Sequence, residues 1–364
     1  MVDKFHNFRD FLDFYCSKNN KNIYYLSNKT SEAIKYNELK NIFYNFEIFL
    51  EKNNVQKNSK ILVILDNSKE LLLTYLSIIY NYRIFVPLNP NSGIDEINYI
   101  IKKTRPKFLI SNKNYSKIIK KLPEIPNFLF NKNNFNKNFR KMNRKKKVSI
   151  RKYKAKNFIA QILFTSGSTG NPKGVVLSHK AMLTNLYDIN EALNIKKDKQ
   201  RFLSVTPIYH NNGQFIPSLL PFIINGSTIS ISPDTSLLNF WPTCKKYKIN
   251  YSSVMATHIN YFNTLNSNKI NSLKSIFCGG AKLDIKSQKL FEKKFNTKVL
   301  CNYGLTETSS IASTESINNK NYFYGSVGKT LKSNSIKIMN KSGKYGEIWI
   351  KGENLFSRYY NDKY

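Results

Sequence analysis

The sequence predicts an α/β fold built on a mostly parallel sheet, and three observations predict it. The first is a strand–helix–strand rhythm, in which "ILVIL" (61–65) is followed by the helical pattern "KELLLTYLSIIYN" (69–81) and then by "RIFVPLNP" (83–90). The second is the recurrence of short β-type runs along the rest of the chain, separated by helical or irregular stretches. The third is composition: 41% hydrophobic residues with 25 Phe and 23 Tyr in 364 residues supply apolar area for a large core and exclude global disorder. At about 150 residues per domain, that length suits two or three subdomains.

Taken in order, "RPKFLIS" (105–111) is the next strand. From about 112 to 156 the chain is dominated by Asn, Lys and Phe without clear periodicity, which predicts a loop or linker, basic over 131–156. "NFIAQILFTS" (157–166) reads as a buried strand and leads into a glycine-rich loop; "GVVLS" (174–178) follows as a strand. Ser178 is placed to cap a helix whose apolar stripe is Met182, Leu186, Ile189 and Leu193. Further strands are expected at 201–207, 227–232, 249–256, 273–280 and 298–304, and "SIKIMNKSGKYGEIWIKG" (335–352) has the form of a hairpin turning at "KSGKYG". The expected organisation is a first α/β subdomain over 1–150, a second over 157–320 and a small β-rich subdomain over 321–364.

The net charge of +35, from 58 Lys and Arg against 23 Asp and Glu, ordinarily suggests a polyanionic partner. Here Lys, Asn, Ile, Tyr and Phe are over-used together, as A/T-rich codon drift produces, and the basic residues are spread along the chain with one local run, "NRKKK" (143–147). No nucleic-acid-binding motif accompanies the charge, so no nucleic-acid role is expected. Cys16, Cys244, Cys278 and Cys301 stand far apart without metal-ligand spacing, which fits a reduced cytoplasm rather than zinc or a disulfide framework. The start "MVDKFHNFRDFLDFYC" lacks the apolar core of a secretory signal, and "LLLTYLSIIY" (71–80) is too short for a membrane span; a cytoplasmic protein is expected.

The stretch "FTSGSTGNPKG" (164–174) gathers chemistry. A glycine-rich loop leaving a buried strand turns several backbone N–H groups toward one point, a nest suited to phosphate oxygens. Thr165, Ser166, Ser168 and Thr169 add hydroxyls, Gly167 and Gly170 permit close approach, and Lys173 adds a positive charge. A Gly/Ser-rich surface loop is the competing reading. The order Lys173–Gly174 excludes the GxxxxGK[ST] phosphate loop, and the dinucleotide GxGxxG is absent.

T-S-G-S-T-G-x-P-K-G resembles the signature loop of the adenylate-forming, AMP-binding superfamily, which includes acyl-CoA synthetases, luciferases and adenylation domains of peptide synthetases. "CNYGLTET" (301–308) is similar to that family's YGxTE motif. The resemblance implies that Asn302, Tyr303 and Gly304 border the nucleotide, that Thr306 contacts the α-phosphate region and that Glu307 holds Mg²⁺. "CGGAKL" (278–283) resembles the segment lining the adenine and acyl sites, through Gly279, Gly280 and Ala281, and "TPIYHNNGQ" (206–214) resembles the P-x-x-H-x-x-G stretch whose His210 gates or orients the carboxylate. Weaker matches extend over nearly the whole chain. The fold implied is an acyl-CoA synthetase-like N-terminal domain with two α/β sheet subdomains and a small terminal β-rich one.

The activity implied is ATP- and Mg²⁺-dependent conversion of a small carboxylic acid into an acyl-adenylate, followed by transfer to CoA or to the phosphopantetheine thiol of an acyl carrier protein. Lys173, Thr306, Glu307 and His210 are the implied catalytic set. Relatives continue to a ribose-binding aspartate, a hinge and a mobile C-terminal domain with a catalytic lysine. The sequence stops at Tyr364 before all of these, and Arg358 stands where the family usually has glycine. The expectation is weak or absent adenylation by the chain alone with retained ATP or acyl-AMP binding, and three explanations stand open: a gene fragment, a chain completed by a separate C-terminal polypeptide, or a degenerate protein that binds nucleotide without turnover. Leu305 and the absence of an acidic partner for an ammonium near 206–214 favour fatty, aryl or other organic acids. An amino-acid adenylation domain and a non-catalytic nucleotide- or polyanion-binding protein are the alternatives.

Overall fold

The computed structural model of the chain describes residues 5–27, 32–139, 158–165, 171–196, 199–224, 226–231, 237–266, 269–319 and 321–361. The chain divides into two compact units, one of Met1–Tyr25, Ala33–Lys180 and Ser357–Tyr364, the other of Leu26–Glu32 and Ala181–Phe356.

The strands of the N-terminal stretch are β1 (Ile23–Ser27), β2 (Ala33–Lys35), β3 (Lys60–Ile64), β4 (Ile84–Leu88), β5 (Phe108–Asn112), β6 (Asn127–Phe130), β7 (Ile159–Thr165) and β8 (Lys173–Ser178). In the first unit β3 to β8 join β18 (Arg358–Tyr359) in a seven-stranded sheet of order β18-β8-β7-β4-β3-β5-β6. Its centre is parallel, with Ile61 opposite Phe85 on β4 and opposite Phe108 on β5. Residues Ile61–Ile64 are wholly buried, which is why this strand reads as an unbroken apolar run rather than an alternation. The helix Lys69–Tyr80 begins at Ser68, whose hydroxyl accepts the Leu71 N–H at 3.2 Å. β7 pairs parallel with β4 and antiparallel with β8, so the strands flanking the glycine-rich stretch belong to this sheet.

The expected linker is in part ordered. Residues 127–130 form β6, parallel to β5, and a helix runs over Lys132–Phe139; residues 140–157 lie outside the described residues. The signal missed in the sequence was phenylalanine. Phe135 and Phe139 are 1% exposed, and their rings lie 4.9 Å apart; Phe139 packs 5.0 Å from Phe46 and 5.3 Å from Phe49, while Phe130 packs 4.9 Å from Phe135. Each ring buries enough area to hold a segment whose other residues are Asn and Lys, although the uneven spacing shows no clean period.

The second unit carries β9 (Arg201–Ser204), β10 (Thr228–Ile231), β11 (Tyr251–Val254), β12 (Ser275–Cys278), β13 (Lys298–Tyr303), β14 (Ser313–Thr314) and β15 (Lys329–Thr330), with β16 (Asn334–Ser342) and β17 (Tyr345–Gly352) as a separate antiparallel hairpin. β10, β9, β11, β12 and β13 run parallel in that spatial order, and β14 and β15 close the edge antiparallel. The helices Phe240–Tyr247, Ala256–Thr264 and Ile285–Phe295 cover one face with Trp241, Phe262, Phe291 and Phe295, Trp241 stacking on Phe295 at 4.3 Å. The expected stripe Met182, Leu186, Ile189 and Leu193 is fully buried on the helix His179–Leu193.

Candidate functional site

The parallel strands of the second unit bring the sequence motifs to one edge. Register pairs Ser253 with Ser204, Val254 with Cys278, and Cys278 with Cys301. The carboxyl ends of β9, β11, β12 and β13 therefore lie side by side, and from them emerge Thr206–Gln214, Met255, Gly279–Leu283 and Tyr303–Thr308. Open α/β sheets bind ligands at that edge, because loops there converge on one crevice.

Tyr303 ends β13 and Gly304 makes the turn after it. A Cβ on Gly304 would lie 1.8 Å from the Ser310 backbone oxygen, so the chain can fold back here only without a side chain. Thr308 then closes a single tight turn, its hydroxyl oxygen accepting the Leu305 N–H at 2.9 Å. Ser309 adopts φ of +64°, a strained conformation for a non-glycine residue, and its hydroxyl donates to the Asn354 carbonyl at 2.7 Å. The fully buried Asn354 returns a bond from its amide to the Thr308 carbonyl at 3.0 Å, and the Phe356 N–H reaches the Glu307 carbonyl at 2.8 Å. Residues 354–356 thus strap the turn that carries Thr306 and Glu307.

On the neighbouring strand end, Gly279 is buried against the Asn302 side chain, where an added Cβ would sit 2.2 Å from the carboxamide oxygen. The Asn302 amide nitrogen is buried and, among the described residues, has no hydrogen-bond partner. Gly280, at φ of +83°, has open space where a Cβ would point, and Ala281 is exposed. An orphaned buried donor beside an edge without bulky side chains fits a flat ring that brings an acceptor.

His210 precedes the short helix Asn211–Gln214, its N–H bonded to the Pro207 carbonyl at 3.0 Å and its ring 4.9 Å from that of Tyr209. It keeps an exposed edge, yet the protein packed around it disfavours the charged form and pulls its pKa below the ordinary histidine value. A neutral imidazole suits orientation of an already ionised carboxylate, which needs no base.

The remaining expected residues lie in the first unit. Thr165 and Lys173 are paired across the β7–β8 hairpin, and the Lys173 ammonium stands 5.2 Å from the centre of the Tyr359 ring. β18 holds this arrangement, with the Ser357 N–H bonded to the Val176 carbonyl at 2.9 Å and the Tyr360 N–H to the Gly174 carbonyl at 2.7 Å. Arg358 sits in that strand opposite Val176. Ser166, Gly167, Ser168, Thr169 and Gly170 lie outside the described residues.

Sequence reasoning did not single out Ser309, Asn354 or Phe356. Asn354 acts across 46 positions through main-chain groups, which leave no residue-type pattern. Among the described residues no cluster of three or more His, Cys, Asp or Glu is placed to hold a metal, and no helix is long and apolar enough to cross a membrane.

A 2-succinylbenzoate–CoA ligase of Staphylococcus epidermidis is 32% identical over 209 residues, which are 57% of this chain and 43% of the ligase. The chain spans about two fifths of the length of that relative. The solved structure of o-succinylbenzoate CoA synthetase from Bacillus subtilis, in complex with its acyl-adenylate intermediate, superposes with a TM-score of 0.85 at 20% identity, covering 98% of this chain and 72% of that one. The inhibitor-bound N-terminal domain of FACL13 from Mycobacterium tuberculosis gives 0.85 at 17% identity over 98% and 91% of the two chains. Likeness at that identity establishes the acyl-CoA synthetase-like fold. A family model described as AMP-binding enzyme matches residues 16–360, and the chain therefore belongs to the family of AMP-binding enzymes.

Proposed function

We propose that the chain binds ATP and a carboxylic acid and forms the adenylating part of an acid–thiol ligase. The carboxylate oxygen attacks the α-phosphorus of ATP, the bond to the β-phosphate oxygen breaks, pyrophosphate leaves, and an acyl-adenylate forms. The thiol of CoA or of a carrier's phosphopantetheine then displaces AMP to give a thioester. Catalysis of the first step is positioning and charge stabilisation. In this reading the backbone around Thr165 to Gly170 and the Lys173 ammonium receive phosphate oxygens, Gly279, Gly280, Ala281 and Asn302 receive the base, and Tyr303, Gly304 and Thr306 border the nucleotide. His210 orients the acid.

Glu307 is the residue that would hold Mg²⁺, an ion that neutralises charge on the triphosphate. Magnesium usually keeps several waters and is held by one or two carboxylates together with substrate phosphates, so Glu307 would supply one ligand among phosphate oxygens and water. An acyl carrier protein, or a separate polypeptide completing the ligase, is the macromolecular partner this reading admits.

The observation that carries the proposal is the gathering of Gly279, the unpartnered Asn302 amide and the strapped Tyr303–Thr308 turn at one sheet edge. Calorimetric titration with AMP and with an acyl-sulfamoyl-adenosine, a stable mimic of the adenylate, tests it. Saturable binding, tighter for the mimic, is expected; a folded chain that binds neither would refute it.

A further inference from the structure

Asn212, two positions beyond His210, lies on the segment Asn211–Gln214 at the same sheet edge. The buried Ser253 of β11 donates its hydroxyl to the Asn212 carboxamide oxygen at 2.5 Å. With the oxygen of the carboxamide on Ser253, its NH₂ faces away.

Ser253 is itself held. Its carbonyl accepts the Thr206 hydroxyl at 3.1 Å, Ser204 donates to the Thr206 carbonyl at 3.1 Å, and strand register sets Ser253 between Ser204 and Phe277. Asn212 is partly exposed, and among the described residues no other group bonds its carboxamide. One end of the side chain is pinned while two N–H donors face accessible space beside the strand ends. Neither the 201–214 nor the 249–264 segment contains Asp or Glu, so an ammonium group would find no counter-charge in these two segments.

We infer that Asn212 recognises the acyl chain of the substrate, selecting organic acids that carry a hydrogen-bond acceptor (a carbonyl, ether, hydroxyl or second carboxylate oxygen) over plain alkyl acids. The inference rests on the carboxylic-acid reading above. An alkyl chain laid over the pinned amide would strip its donors of water without replacing the bonds, whereas an acceptor oxygen restores them; sites built around such groups discriminate strongly against the analogue that lacks the partner. Ser253 is the positioning residue, acting through Asn212.

The test compares hexanoyl-sulfamoyl-adenosine with the series of its monoketo analogues, titrated into the chain by calorimetry, and reads the ratio of the best keto affinity to the alkyl affinity. That ratio cancels any general loss of binding. In the wild type it should favour a keto probe by about 10-fold or more, in Asn212→Leu it should fall to unity or reverse, and in Ser253→Ala it should fall to within about 3-fold because the amide is free to swing. A wild-type ratio near unity, or a wild-type ratio retained in both variants, overturns the inference while leaving the carboxylic-acid reading intact. If no probe binds saturably to the folded wild type, that reading fails and the inference with it.

Discussion

His179 opens the helix His179–Leu193 and is 1% exposed, with its Nδ1 accepting the Phe8 backbone N–H at 3.1 Å. The rings of Phe8, Tyr82 and Phe158 lie 5.4 to 6.4 Å from its own. Burial lowers its pKa from the ordinary 6.5 to about 3. The geometry agrees, because a second proton on Nδ1 would face the Phe8 N–H donor. The unfolded chain takes up a proton near pH 6.5 that the folded chain refuses until about pH 3, so stability falls as the pH drops through this window. At about 1.4 kcal/mol per pH unit, acidification from pH 7 to pH 5 should cost roughly 2 kcal/mol through this one residue. The perturbation is His179→Gln, which keeps an acceptor for Phe8 and removes the titration. Urea unfolding at the two pH values should show the variant losing about 2 kcal/mol less than wild type on acidification, whatever its absolute stability. Equal pH dependence in both proteins would refute a neutral buried His179.

Other perturbations act at named contacts. Gly304→Ala puts a methyl 1.8 Å from the Ser310 carbonyl and should distort the turn, destabilising the fold by about 2 kcal/mol or more and weakening nucleotide binding, both readable by melting with and without ATP. Asn354→Ala removes the bond to the Thr308 carbonyl from a fully buried site; a loss of about 1–3 kcal/mol by denaturant titration, together with weaker Mg²⁺-ATP binding, is expected although the residue is not among those assigned to the nucleotide. Glu47→Ala strands Arg83 and Lys57, which both bond to the Glu47 carboxylate, Arg83 at 2.5 Å and 2% exposed. It should cost about 3–5 kcal/mol by denaturant titration, whereas Lys57→Ala should cost less because Lys57 is partly exposed.

Legibility in the sequence followed the kind of signal each element carries. β3, β4 and β5 announce themselves through runs made mainly of Ile, Leu, Val and Phe, since a strand buried on both faces is mostly apolar. The helix Lys132–Phe139 does not, because its only large apolar residues are Phe135 and Phe139, and the packing of Phe139 on Phe46 and Phe49 joins parts of the chain some 90 residues apart. The apolar run into Thr165 predicts a strand but not which sheet it joins; pairing with β4 settles that. At the site, Gly304 and Gly279 were visible through the resemblance of their segments to family motifs, and the physical reason for each is crowding: a Cβ would lie 1.8 Å from the Ser310 carbonyl oxygen at Gly304 and 2.2 Å from the Asn302 carboxamide oxygen at Gly279. The strap at Asn354 and the Ser253–Asn212 bond were not, since a side chain bonding a main-chain carbonyl 46 positions away, or another side chain 41 positions away, leaves no local spacing.

The nucleotide assignment is tested by titrating ATP, with and without Mg²⁺, into wild type, Lys173→Ala and Glu307→Gln. One saturable site is expected in wild type, weakened about 10-fold or more in Lys173→Ala under both conditions, with Glu307→Gln matching wild type without magnesium and falling behind only when it is present. A folded wild type without a saturable ATP site, or variants indistinguishable from it in magnesium, would contradict the proposed roles of Lys173 and Glu307 in ATP binding.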